Sequence, residues 1–141
     1  MDQAFVPSSF DDLHLGMKAR TGILVLEKDM DAFAEISGDC SAIHVDPEFA
    51  RKAGFNGRVV YGGLLVAALS RMVGMTLPGP IGVAAGWRID FHQPLYINEP
   101  AILDAEISQI SESVRLVKLK FTISAGERLI AKGSAEAKII A

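Results

Sequence analysis

Gly62-Gly63-Leu64-Leu65-Val66-Ala67-Ala68-Leu69-Ser70-Arg71-Met72-Val73-Gly74-Met75 is small and apolar throughout, with Arg71 its only charge. A helix on a protein surface keeps a polar face toward water, so this pattern predicts a helix buried nearly all round. Pro78-Gly79-Pro80 ends it. The sequence beyond is strand-like, with candidate strands at residues 81–91, 101–111, 115–124 and 128–140. Short connections at Asn98-Glu99-Pro100, Ser111-Glu112-Ser113 and Ala125-Gly126-Glu127 join them. In residues 115–123, Val117, Leu119, Phe121 and Ile123 alternate with Leu116, Lys118, Lys120 and Thr122. That period of two sets one face in a core and one in water, as in an antiparallel sheet. A buried helix and a run of long antiparallel strands are reconciled if the sheet curls around the helix. The expected class is α+β, one domain over residues 1–141, with a long antiparallel sheet wrapped around a central helix.

Residues 1–20 read as an irregular arm, and residues 21–27, with Ile23-Leu24-Val25-Leu26 in succession, as a buried strand. Residues 28–36 read as a short amphipathic helix capped by Asp29, with Met30, Phe33, Ala34 and Ile36 as its apolar stripe. Gly38 sits where that helix should stop. Asp39-Cys40-Ser41-Ala42-Ile43-His44 comes directly after it. On a continuing helix Asp39 and His44 would lie about 140° apart around the axis. Only a turn brings this carboxylate and imidazole together, and together they form a candidate acid/base pair. Alternatively Asp39 caps a turn and His44 satisfies a backbone carbonyl. A second short helix is expected from Asp46-Pro47, with Asp as cap and Pro in the first position. A loop of turn formers at residues 53–58 leads back to the central helix.

Composition narrows the function. Half of the 141 residues are hydrophobic, and surplus apolar surface on a domain of this size commonly ends in a subunit interface, so at least a homodimer is expected. Fourteen Lys and Arg against seventeen Asp and Glu give a net charge of −3, the wrong balance for nucleic acid as main partner. No apolar run reaches membrane-spanning length, and no positive segment precedes an apolar one at the start, so neither a membrane partner nor export is expected. One cysteine excludes an internal disulfide and a thiolate-built zinc site, which fits the cytoplasm. Cys40 is expected to be a small buried spacer, His14 a surface residue, His92 a strand residue, and Trp87 and Phe91 part of the sheet core.

Three blocks together resemble one family. The first is residues 33–44, Phe-Ala-Glu-Ile-Ser-Gly-Asp-Cys-Ser-Ala-Ile-His, followed by Asp46, Phe49 and Ala50. The second is residues 57–64, Gly-Arg-Val-Val-Tyr-Gly-Gly-Leu, and the third residues 88–95, Arg-Ile-Asp-Phe-His-Gln-Pro-Leu. They are similar to the MaoC-like dehydratases, the (R)-specific enoyl-CoA hydratases of the hotdog fold. That family's first block reads aromatic, Ser-Gly-Asp-x-Asn-Pro, aliphatic, His. Its second reads Gly-Arg-aliphatic-aliphatic-His-Gly-Met-Leu. Ser41 and Ala42 stand here for its Asn and Pro, Tyr61 for its His, and Gly63 for its Met. Asp39, His44 and Gly62 match.

The resemblance implies hydration of 2-enoyl thioesters to 3-hydroxyacyl thioesters, or the reverse, without cofactor or metal. It implies catalytic roles for Asp39 and His44, with either carrying the proton. The backbone N–H of Gly62, at the positive end of the helix, would hold the thioester oxygen. Ser41, Tyr61, Gly63, Ser70 and Arg58 would line the substrate site. Tyr61 either packs as an aromatic wall or lends its hydroxyl to the substrate. Gly63 opens room near the thioester, and Ser70 either meets the substrate or bonds back to its own helix. Arg58 and Lys52 either meet coenzyme A phosphates or belong to a solvated face. The carrier of the acyl group is coenzyme A or an acyl carrier protein. Two alternatives stand beside this one: a hotdog acyl-CoA thioesterase, which lacks here any Asp or Glu in residues 62–76, and a non-catalytic acyl-thioester-binding subunit.

Overall fold

The computed structural model describes residues 5–141, and its frame is one five-stranded sheet. The strands are β1 (Lys18–Ile23), β2 (Gly82–Phe91), β3 (Ala101–Ser111), β4 (Leu116–Ala125) and β5 (Arg128–Ile139). They lie in the order β1-β3-β4-β5-β2, every neighbouring pair antiparallel. The helices are α1 (Glu27–Ser37), α2 (Ala42–Val45), α3 (Pro47–Lys52) and α4 (Gly62–Met75). The alternation in β4 places Val117, Leu119, Phe121 and Ile123 in the core, each no more than 3% exposed. Leu103, Ala105 and Ile107 from β3 and Ala135, Ala137 and Ile139 from β5 join them. Leu65, Leu69, Met72 and Val73 of α4 meet this layer. Four such side chains contribute roughly 6–12 kcal/mol in gross burial, enough to hold the helix in place.

The sheet does curl around α4, because the helix packs against β2 at one edge and β1 at the other. Arg71 secures the β1 side, donating from Nη2 to Thr21 Oγ1 at 2.7 Å and to the Gly22 carbonyl at 3.2 Å. No helix among the described residues is long and apolar enough to cross a membrane.

Several expectations are corrected. The first strand begins at Lys18, inside the supposed arm, and ends at Ile23. Leu24 is exposed, and Leu26 already caps α1. The reason is Asp29, which occupies the third helical position instead of the cap and accepts from the Leu26 N–H at 2.8 Å. Ile36 is 87% exposed, since it falls about 110° around the helix from the centre of the stripe formed by Met30, Phe33 and Ala34. α4 is not buried all round: Gly63, Ala67, Ser70, Arg71 and Gly74 share an exposed side, because a single sheet covers only part of the circumference. Trp87 and Phe91 are exposed instead of core, because β2 is an edge strand. His92 lies just past the end of β2 and Cys40 is exposed; His14 is on the surface as expected.

Candidate active site

Gly38 ends α1 at φ +72°, donating its N–H to the Ala34 carbonyl at 2.9 Å, a conformation in which a side chain would be strained. Ser37 Oγ donates to the Phe33 carbonyl at 2.6 Å and accepts from the Asp39 N–H at 3.0 Å. The chain therefore leaves the helix sharply, and Asp39 Oδ1 accepts from the Ser41 N–H at 3.0 Å and from the Ser41 hydroxyl. The turn then holds a single helical turn not foreseen from sequence, α2, which carries His44. Asp46 caps α3 as expected, accepting from the N–H groups of Glu48 and Phe49 at 3.0 and 3.1 Å.

Asp39 is exposed, and the Ser41 hydroxyl holds its carboxyl below the usual carboxylate range, followed by the Ser41 N–H; the nearby His44 acts in the same direction. It is an anion at neutral pH. Its Oδ1 is occupied, which leaves Oδ2 for a ligand. His44 is half-buried, with Nδ1 2.7 Å from the Val59 carbonyl oxygen. A carbonyl can only accept, so Nδ1 carries the hydrogen, and the lone pair of the neutral ring is on Nε2.

Residues 58–61 run beside this loop and hold it. Val59 donates its N–H to the Ile43 carbonyl at 3.0 Å, and Val60 donates to the Leu95 carbonyl at 2.8 Å, anchoring the segment to the body of the protein. Arg58 Nε donates to the His44 carbonyl at 2.7 Å. Its Nη2 donates to Asp31 at 3.2 Å and its Nη1 lies 3.5 Å from Glu27. With its side chain only 10% exposed and its nitrogens committed to α1 and His44, Arg58 is a clamp and not the ligand-facing cation expected. Tyr61 is 1% exposed, and its hydroxyl donates to the Asp39 carbonyl at 2.6 Å. Its ring stacks on His44, centroids 4.2 Å apart at 26°, with the Phe33 ring centroid 4.6 Å away. The Tyr61 ring is packed between Phe33 and His44, and the hydroxyl hydrogen is committed to the Asp39 carbonyl. Burial, with the Asp39 charge second, pushes its phenol pKa up, so it remains a neutral donor.

Gly62 follows as the first residue of α4, where Leu64 donates its N–H to the Tyr61 carbonyl at 3.0 Å and the N–H groups of Gly62 and Gly63 precede the first helical bond. A Cβ there would lie 2.7 Å from Phe91 Cζ, and one at Gly63 would lie 2.4 Å from Phe33 Cζ. The room expected at Gly63 is thus taken by the Phe33 ring. Ser70 is exposed, two turns along α4 on the same side as Gly63. Asp39, His44, Gly62, Ser41 and Tyr61 are brought together; Arg58 is adjacent but turned inward. Lys52 is exposed on α3, 3.8 Å from Glu48. A separate cavity of about 780 Å³ on the sheet, among Arg20, Asp104, Glu106, Lys120 and Lys132, contains none of them.

The sequence matches the MaoC-like domain over residues 13–127. It is 28% identical over 130 residues to the 3-hydroxybutyryl-CoA dehydratase of Methylorubrum extorquens, covering 92% of this chain and 83% of that protein. It is 29% identical over 132 residues to the (R)-specific enoyl-CoA hydratase of Aeromonas caviae, covering 93% and 98% of the two chains. The solved structure of the A. caviae (R)-hydratase involved in PHA biosynthesis superposes with a TM-score of 0.85, over 90% of this chain and 97% of the other. A sheet curled around α4, the Asp39/His44 turn at its N-terminus and a match over most of the length lead to one conclusion: the chain belongs to the MaoC-like domain family and has its hotdog fold.

Proposed function

We propose that this chain, as a single domain of residues 1–141, adds water across the 2,3 double bond of 2-enoyl-CoA to give (R)-3-hydroxyacyl-CoA, and runs the reverse dehydration. The observation that carries the proposal is the tautomer of His44: Nδ1–H is committed to Val59, which leaves the lone pair on Nε2, in an imidazole near enough to the anionic Asp39 for the two charges to interact and stacked on Tyr61, the residue just before the Gly62 N–H. Names of relatives of similar length support the substrate class and the stereochemistry.

Water attacks the β-carbon as Nε2 of His44 takes its proton. The electron pair of the double bond moves toward the thioester, and the developing oxygen charge is met by the Gly62 N–H, a donor of the kind worth about 3 kcal/mol in a transition state. The imidazolium then returns the proton to the α-carbon, so water is added whole. Asp39 remains ionised throughout: a carboxyl held below the ordinary range is a poor proton carrier at neutral pH, so it orients the water through Oδ2 and stabilises the imidazolium. Ser41 holds Asp39 in place, and the exposed side of α4 at Gly63 and Ser70 is where the acyl chain would run. In this reading Asp39 is open to solvent in one chain, and a second copy closes the site, with β2 as the contact. The one free thiol, Cys40, is compatible with a cytoplasmic enzyme.

The test is loss of absorbance at the enoyl-thioester band with crotonyl-CoA and longer enoyl-CoAs, with chiral analysis of the product. Asp39→Asn and His44→Gln are each expected to lower kcat by a factor of about 10² or more, as removal of a positioned acid/base group does. An (S) product, or a wild type silent toward CoA thioesters but active on carrier-protein thioesters, would overturn the corresponding part. Release of free coenzyme A from saturated acyl-CoA would point instead to the thioesterase.

A further inference from the structure

We propose that Tyr61 is a positioning residue that sets Asp39, His44 and the Gly62 donor relative to one another; the inference rests on the hydratase reading above. Most hydrogen bonds on Asp39 are local, to Ser37 and Ser41, two residues away on either side. Bonds of that range shape the loop without fixing it to the rest of the protein. Among the described residues, the long-range hydrogen bond on Asp39 is the one its carbonyl accepts from the Tyr61 hydroxyl, across a sequence separation of 22 residues. His44 is tethered separately, by the Val59 carbonyl and the Arg58 guanidinium.

Tyr61 joins the two systems. Its ring lies flat on the imidazole while its hydroxyl reaches the Asp39 backbone, and its own carbonyl carbon is bonded to the Gly62 nitrogen. The side chain is itself rigid, being 1% exposed with the Phe33 ring 4.6 Å away, and the preceding residue is bonded to Leu95. One side chain therefore ties the anion, the base and the oxyanion donor into a single unit. The hydroxyl hydrogen is directed at a backbone carbonyl, so Tyr61 acts through these groups and not on the substrate. A histidine at this position, as in the family's usual pattern, is too short to span the same distance from the same backbone.

The experiment is a double-mutant cycle of Tyr61→Phe and Asp39→Asn, with crotonyl-CoA kinetics at fixed pH and thermal denaturation of each variant. Tyr61→Phe keeps the stack on His44 and removes only the hydroxyl. It is expected to lower kcat about tenfold with KM changed less than about twofold, since misplacement of a catalytic group by a fraction of an ångström costs on that order. In the Tyr61→Phe background, Asp39→Asn is expected to cost about tenfold less than it does alone, because the carboxylate is already out of place. A purely structural role would lower Tm but leave the two effects multiplicative. Wild-type kcat in Tyr61→Phe, or independent effects in the cycle, would overturn the proposal. A wild type inactive on every enoyl thioester would instead overturn the hydratase reading beneath it.

Discussion

Asp39 owes its acidity to its neighbour. The Ser41 hydroxyl is the largest cause of its lowered pKa, ahead of the Ser41 N–H that any residue at that position except proline would supply. A carboxyl whose folded pKa lies below its unfolded value of about 3.9 contributes stability that is present above that value and is lost as pH falls through the folded pKa. Wild type is therefore expected to melt above Ser41→Ala at neutral pH, with the gap closing as pH falls below about 4. Thermal denaturation of both proteins along a pH series reads this, and a gap that stays constant would mean the hydroxyl acts by packing alone. Activity at neutral pH should fall only modestly in Ser41→Ala, because Asp39 is ionised in both. The pair itself was legible in the sequence, since Gly38 stops a helix and the two residue types carry their chemistry with them. Its support was less so. The Val59 group that selects the His44 tautomer is a backbone carbonyl, which no residue identity encodes. Arg58 looked free beside a glycine-containing loop and is committed to Glu27, Asp31 and His44, partners that only the folded chain brings near.

The start of α4 puts two glycines against two aromatic rings, and the rings differ in their freedom. A Cβ at Gly62 meets Phe91, which in the isolated chain is 56% exposed at the sheet edge and has room to move until a second copy covers it. A Cβ at Gly63 meets Phe33, half-buried and confined by Tyr61. Gly63→Ala is expected to cost about 1–3 kcal/mol as overpacking, while Gly62→Ala should be nearly neutral in stability yet reduce activity by crowding the thioester. Denaturant midpoints for both variants check the order; equal costs would mean Phe33 moves as easily as Phe91. Residue pattern located α4 and β2 to β5 to within a residue or two, although an unbroken period of two runs only through β4, while bulges between Ala84 and Gly86 and between Ile107 and Gln109 interrupt β2 and β3. It failed where several short elements follow each other. β1 was displaced, whereas α1 was found to within a residue at each end, with Asp29 in its third position instead of at the cap, and α2 is too short to show any repeat. The contact of Phe33 with Gly63 joins distant parts of the sequence, and a glycine with apparent room turned out to be filled.

One chain leaves its own architecture unfinished. α4 keeps an exposed side of small residues, Asp39 faces solvent, and β2 offers an unpaired edge carrying Val83, Trp87 and Phe91, which are 50%, 37% and 56% exposed. An open edge with apolar side chains is a template for another strand, and a protein that did not use it would aggregate through it. A second copy of β2 running antiparallel would pair the free N–H and C=O groups, cover those three side chains and wall the Asp39/His44 site beside Phe91, whose ring already touches Gly62. The apolar composition points to a subunit contact without giving its place, since Trp87 and Phe91 read as core until β2 is known to be an edge strand. A homodimer is therefore expected in sedimentation velocity at micromolar concentration, with an interface on the order of 1,600 Å². Trp87→Lys places a charge in the middle of that contact. It should shift the protein toward monomer and lower activity at dilute concentration, with activity recovering as protein concentration rises. A fully active wild-type monomer would remove the edge-to-edge contact, and a Trp87→Lys dimer of unchanged activity would place the subunit contact on another face.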